Sequence, residues 1–235
     1  MGFRRSVVHD ELPVGDTLIR AMAGLGMAFD IDPLHNFNIE DTLLGASVDG
    51  MERDDLRVLG LAVAWLDIHH ARLNVDRLTR AVPLLTGHRC RVFWAATADR
   101  FIADRRWARL ARLPDAMGPA DLLRIGNSFQ MQRRGEDQRF AQTRLRVPAG
   151  TLRQRPGEVL EPSALALRHD AYRQRIIMGA SYRADAWAVL QENPERSASV
   201  VARLSYASFA TAWQVKRDFQ LVAGTTARGP GVRPG

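Results

Sequence analysis

The chain has 235 residues, of which 46% are hydrophobic and 25% are charged. This balance is typical of a folded globular protein and excludes a wholly disordered one. The longest stretch without a charged side chain, 204–215, is shorter than the roughly 20 apolar residues that a membrane-spanning helix needs. The single cysteine excludes an internal disulfide and a multi-cysteine zinc site. Acidic residues follow the N-terminal arginines where a signal peptide would be apolar, so we expect a cytoplasmic protein without membrane association.

The formal net charge of +7 comes entirely from the second half of the chain. Residues 1–120 contain 15 basic and 16 acidic side chains, whereas residues 121–235 contain 18 basic and 10 acidic ones. Such an asymmetry is typical of a protein in which one part binds a polyanion.

Residues 1–117 predict an N-terminal helical domain, because apolar residues recur at helical spacing and no segment alternates with period two. Asp54–His70 is apolar around most of its circumference, which predicts the central and most buried helix. These helices could also form the contacts with a protein partner or with a second copy in a homodimer. The predicted helices are Val14–Phe29, Asp54–His70, Val75–Val82 and Arg89–Leu113, the last with a break near 103–104.

Residues 118–162 predict a basic linking segment. Thr143, Leu145 and Val147 alternate with arginines, which indicates a strand, and the sequence 148–150 suits a turn, so we expect a short β-hairpin with 151–155 as its second strand. The arginines either contact nucleic-acid phosphates or form a solvated, ion-paired face. The candidate phosphate contacts are Arg133, Arg134, Arg144, Arg146, Arg153 and Arg155.

Residues 163–223 predict four helices, and the Gly/Pro-rich residues 224–235 predict a flexible tail. Serines in N-cap positions precede the later helices. A three-residue connection, 205–207, separates the last two. The predicted helices are Ala164–Met178, Tyr182–Gln191, Ser197–Leu204 and Phe209–Leu221.

The run SASVVARLSYASFATAWQVKRDFQL, with the helix before it, resembles the winged helix-turn-helix of bacterial transcription regulators and antitoxins. The resemblance implies that Ala202, with Val201 and Leu204, packs against Ala212, Val215 and Phe219 of the last helix. That helix would then lie in the major groove of DNA. The implied DNA-contacting residues are Ser208, Ala210, Thr211, Gln214, Lys216 and Arg217.

The sequence therefore predicts a mainly α protein with an N-terminal helical bundle and a C-terminal helix-turn-helix domain. The expected function is double-stranded DNA binding, and the resemblance implies a regulator or a component of a phage-defence or toxin–antitoxin system. The alternative is a non-catalytic interaction scaffold or oligomerisation module in which Phe209 and Trp213 contact a partner or a second copy. No familiar catalytic or phosphate-binding motif is present, so we predict no enzyme activity, cofactor or metal site.

Overall fold

The structure is a computed structural model that describes residues 12–116, 118–153 and 157–227. These residues form twelve α-helices and one two-stranded sheet, which confirms a mainly α protein. None of the helices in this part of the chain combines the length and the apolar character needed to cross a membrane. The described residues divide into a first unit, 12–169, and a second unit, 170–227.

The first unit contains eight α-helices, two short strands and several 3₁₀ turns. Its helices are α1 Gly15–Gly24, α2 Ile39–Glu52, α3 Leu56–His69, α4 Val75–Ala81, α5 His88–Arg100, α6 Ala108–Ala111, α7 Asn127–Arg134 and α8 Pro162–Arg168. Its strands are β1 Ala120–Asp121 and β2 Leu145–Arg146. The 3₁₀ turns are His70–Arg72, Val82–Leu84, Arg105–Trp107 and Pro114–Ala116.

Buried tryptophans connect the central helices of the first unit. Trp65 of α3 donates its indole N–H to the carbonyl oxygen of Leu25 at 3.0 Å, just after α1. Trp94 of α5 donates to the hydroxyl of Ser47 in α2 at 2.9 Å. Both indoles are fully buried, so each needs such a partner.

The helix with the most buried residues is α2. Sequence analysis predicted no helix in this part of the chain. Eleven of its fourteen residues are buried, against nine of fourteen in α3. The prediction that Asp54–His70 is the most buried helix is therefore wrong. Glu40 and Asp41 of α2 are buried with Arg77 of α4, which forms ion pairs with both carboxylates. These buried charges interrupt the apolar pattern that marks a core helix.

The predicted β-hairpin is wrong for the described residues. β2 pairs in parallel with β1, Leu145 opposite Ala120, instead of with the chain that follows the turn. After the turn, Leu152 is buried, and the carbonyl oxygen of Arg153 approaches Gly60 of α3 so closely that a Cβ there would lie 3.3 Å from it. The chain at 151–153 thus packs on α3. Residues 154–156, the end of the predicted second strand, lie outside the described residues.

The described part of 118–162, predicted as a basic linking segment, belongs to the first unit. Phe140, Leu145 and Val147 are fully buried, which anchors the segment in the core. The second unit begins at Asp170, after the predicted start at residue 163.

The predicted helix 164–178 is divided at His169, which has extended backbone angles. Its side chain is buried, and its Nε2 lies 3.0 Å from the carbonyl oxygen of Phe37. A continuous helix would remove this contact. The second unit consists of α9 Asp170–Met178, α10 Tyr182–Glu192, α11 Ala198–Ser205 and α12 Phe209–Ala227.

Candidate nucleic-acid interface

The connection between α11 and α12 is a three-residue turn, 206–208. Tyr206 has the left-handed backbone conformation, with φ of 57°, and is buried together with Ala207. Ser208 then caps α12, its hydroxyl accepting the backbone N–H of Thr211 at 3.1 Å. The turn is therefore fixed by burial on one side and by a cap on the other.

Small residues allow α10, α11 and α12 to pack closely in the second unit. The predicted inward positions Val201, Ala212 and Val215 are fully buried, while Ala202 and Phe219 are partly buried against them. Leu204, also expected inward, remains partly exposed. The buried cluster is completed from α10 by Ala186 and Leu190, with Trp187 packed beside it and in edge contact with Phe219 at 5.1 Å.

The opposite face of α12 is exposed and largely apolar. Ala210 and Arg217 of the predicted interface lie on it. Phe209 and Trp213 are 55% and 51% exposed. The Arg217 guanidinium lies over the Trp213 ring, with Cζ 5.5 Å from the ring centroid. We call these four residues the α12 face.

The polar residues predicted to contact bases are instead hydrogen-bonded within α12. The hydroxyls of Ser208 and Thr211 are 2.8 Å apart. The amide of Gln214 donates to Asp218 at 2.9 Å. Thr211 and Gln214 are only partly exposed, and among the four residues of the α12 face only Arg217 has a hydrogen-bonding side chain.

Most charges of the second unit are neutralised locally. Lys216 donates to the carbonyl oxygen of Arg196 at 2.7 Å. Hydrogen bonding by Arg183 holds the pKa of Asp218 below its usual range. Among the described residues, Arg203 of α11 and Arg217 are the arginines of this unit that form no ion pair. The pairs are Arg173–Asp170, Arg175–Asp185, Arg183–Asp218 and Arg196–Glu192.

The predicted arginines of the first unit fall into two groups. Arg144 is partly buried and donates to the carbonyl oxygens of Ala116 at 2.8 Å and Ala111 at 3.0 Å. Its guanidinium therefore holds these two chain segments together. Arg146 is half-exposed and pairs with Asp121 at 2.7 Å. The exposed group, for which no side-chain partner is found within the described residues, comprises Arg133 and Arg134 of α7 and Arg153. Arg155 lies outside the described residues.

An open cleft of about 880 Å³ lies in the first unit, and the sequence did not predict it. Three guanidinium groups line it, together with the ring of Phe101. Each guanidinium has a carboxylate partner, so the cleft has no excess of positive charge. The pairs are Arg100 with Asp67, Arg139 with Asp137 at 2.6 Å, and Arg144 with Asp99 at 3.5 Å.

The structure departs from the winged type of helix-turn-helix. A wing would begin as a hairpin after Phe219, but α12 continues as a helix to Ala227, beyond the predicted end at Leu221. The described residues of the second unit contain no strand. The rest of the predicted tail, 228–235, lies outside the described residues.

Comparison of the chain with protein-family models, with curated proteins and with solved structures found no match. The functional inference therefore depends on the residues of the two units themselves. Sequence analysis had identified Phe209 and Trp213 as possible contacts of a partner or a second copy. The ion pairs that neutralise neighbouring arginines could be identified only from the structure.

Proposed function

We propose that this protein binds double-stranded DNA through α12 of the second unit, in the manner of a helix-turn-helix without a wing. The observation that carries the proposal is the arrangement of α10, α11 and α12. Two helices joined by a three-residue turn share a core of small residues, and the second of them exposes one face. A helix supported in this way fits the major groove.

The charges support the same proposal. Arg203 on α11 and Arg217 on α12 have no ion-pair partner in the described part of the unit, and both are exposed. In a helix-turn-helix the first helix crosses the phosphate backbone, so Arg203 suits a phosphate contact. Arg217 suits a phosphate or guanine contact. The context implied by the resemblance, regulation or a phage-defence or toxin–antitoxin system, is part of this proposal and depends on the resemblance alone.

The test is fluorescence anisotropy with the full chain and a mixed-sequence duplex of about 40 base pairs over a salt series. We expect affinity to fall steeply with salt, and the double variant Arg203→Ala, Arg217→Ala to bind more weakly. Arg80→Ala is the matched control, because Arg80 is a partly exposed arginine of α4 in the first unit. Absence of binding at low salt, or equal loss in the Arg80→Ala control, contradicts the proposal.

A second candidate function is protein interaction, favoured by the apolar character of α12. Besides Phe209 and Trp213, Leu221 and Val222 are 65% and 53% exposed. Exposed apolar side chains along one helix are typical of a partner-binding surface. Light scattering, which measures the oligomeric state, distinguishes the two functions. An interaction module is supported if the unsubstituted chain is a dimer that binds no duplex and the Trp213→Ala variant is a monomer.

A further inference from the structure

The chemistry of the α12 face suggests what it would contact on DNA. Its two large side chains, Phe209 and Trp213, are apolar and half-exposed, and Ala210 between them adds a methyl group. The nearby polar groups of Thr211 and Gln214 already hydrogen-bond within the helix. The face therefore suits an apolar group better than a pattern of hydrogen-bond donors and acceptors.

In the major groove, the apolar group on a natural base edge is the C5-methyl of thymine. The same methyl group occurs in 5-methylcytosine, at the same edge of the base. Arg217 supplies the only charge on the α12 face, and the neighbouring Asp218 pairs with Arg183 at 2.7 Å. Asp218 also interacts electrostatically with Arg217, but it forms its ion pair with Arg183, so the guanidinium of Arg217 can complement the phosphates beside the methyl group.

A second copy of the chain fits the face less well. A stable interface buries about 800 Å² on each partner. Two half-exposed aromatic side chains offer on the order of 200 Å² between them. Leu221 lies eight residues beyond Trp213, about 12 Å along the helix, so it lies outside the four residues of the α12 face, although it adds to the apolar surface of the same helix.

We propose that Phe209, Ala210 and Trp213 contact pyrimidine C5-methyl groups in the major groove, so that the protein favours duplexes that carry this group. This inference rests on the proposed DNA-binding function. Arg217, held over the Trp213 ring, contacts the adjacent guanine or phosphate. The contact with the ring favours a position of the guanidinium in which its donors lie beside the methyl-contacting residues.

The test compares three forms of one mixed-sequence duplex of about 40 base pairs with the full chain. The first contains thymine, the second has every thymine replaced by uracil, and the third has uracil together with 5-methylcytosine in place of cytosine. We expect the uracil form to bind about fourfold more weakly for each methyl group contacted. Recovery in the third form shows that either methylated pyrimidine is accepted, whereas no recovery restricts the inference to thymine.

Variants locate the effect on the α12 face. Trp213→Ala and Phe209→Ala are each expected to reduce the preference for the thymine duplex over the uracil duplex, and the double variant is expected to bind both with nearly equal affinity. Leu221→Ala is the matched control and is expected to keep the preference, while Arg203→Ala weakens all three duplexes equally. All four side chains are at least partly exposed, so helical circular dichroism is expected to remain unchanged and to verify folding.

The outcomes separate this inference from the proposed function. Equal binding of the thymine and uracil duplexes by the unsubstituted chain overturns methyl recognition and leaves DNA binding intact. No binding of any duplex at low salt overturns both. Methyl recognition is also overturned if the thymine and uracil duplexes bind equally and the chain forms a dimer that the Trp213→Ala substitution dissociates. That result assigns the α12 face to contact with a second copy.

Discussion

Arg175 of α9 and Asp185 of α10 form a buried, two-bonded ion pair that joins the first two helices of the second unit. Arg175 Nε lies 2.7 Å from one carboxylate oxygen, and its Nη2 lies 2.8 Å from the other. The two side chains are 1% and 5% exposed. Removing one member of such a pair leaves the other charge buried without compensation.

Asp185→Asn is therefore expected to lower the free energy of unfolding by about 3–5 kcal/mol. Glu192→Gln is the matched control, because Glu192 forms a 2.6 Å pair with Arg196 in the same unit but is half-exposed. That control should cost at most about 1 kcal/mol. Urea unfolding of the full chain, followed by circular dichroism, measures both. Similar losses of unfolding free energy in the two variants would contradict the expectation that the buried Arg175–Asp185 pair stabilises the unit more than the exposed pair does.

The buried His69 makes the stability of the first unit depend on pH. Burial lowers the pKa of His69 from 6.5 to about 4, although its hydrogen bond to the carbonyl oxygen of Leu160 opposes this shift. Between pH 6.5 and 4 the unfolded chain binds a proton there and the folded chain does not. This contribution to stability is therefore complete above pH 6.5 and is lost as the pH falls towards 4.

His69→Gln keeps a side-chain donor near Leu160 but removes the titrating ring. We expect its unfolding free energy to fall less between pH 6.5 and 4 than that of the unsubstituted chain. His35→Gln serves as the control for replacing a histidine elsewhere in the chain, because His35 is exposed. Chemical unfolding at several pH values in this range provides the comparison. Identical profiles for all three proteins would exclude His69 as the source.

The helices of the second unit follow closely from the sequence because local signals define them. Serines were predicted at the N-terminal ends of these helices, and the hydroxyls of Ser181 and Ser197 each accept a backbone N–H three residues later. The predicted helix Tyr182–Gln191 differs from α10 by one residue. Caps and helical periodicity depend on neighbours in sequence, so a sequence contains them directly.

The features that sequence analysis missed depend on distant residues. α2 was missed because buried Glu40 and Asp41 are compensated by Arg77, which is remote in sequence. β2 was assigned to a hairpin because nothing local reveals that its partner is β1. The same limit affects the candidate interface, where the α12 face was recognisable but the pairing of Arg144 with distant carbonyl groups was not.

The single cysteine, Cys90, provides a probe for opening of the first unit. It is fully buried, and burial together with Glu52 raises the pKa of its thiol to about 12. At pH 8 the thiol is therefore almost entirely protonated, and the thiolate is the reactive form. We expect very slow reaction with a disulfide reagent in buffer and rapid, complete reaction in concentrated urea. Rapid reaction of the folded chain would show that the packing around Cys90 opens readily.

Some arginines of the first unit suit phosphate contact, whereas others support the fold. Arg133 and Arg134 of α7 are exposed and have no side-chain partner in the described chain, whereas Arg144 bonds two carbonyl oxygens. If the first unit contributes phosphate contacts, replacing Arg133 and Arg134 by alanine reduces duplex affinity. It also lowers the slope of log affinity against log salt by up to about 2.

The same double variant should change the free energy of unfolding by less than about 0.5 kcal/mol, because both side chains are exposed. Arg144→Ala is expected to behave in the opposite way, with a loss of about 2–3 kcal/mol of stability through its two charged hydrogen bonds. Its duplex affinity and salt slope, measured where the variant is still folded, should match those of the unsubstituted chain. Anisotropy over a salt series and urea unfolding of each variant measure the two quantities independently. A reduced salt slope for Arg144→Ala, with none for the double variant, would reverse the assignment.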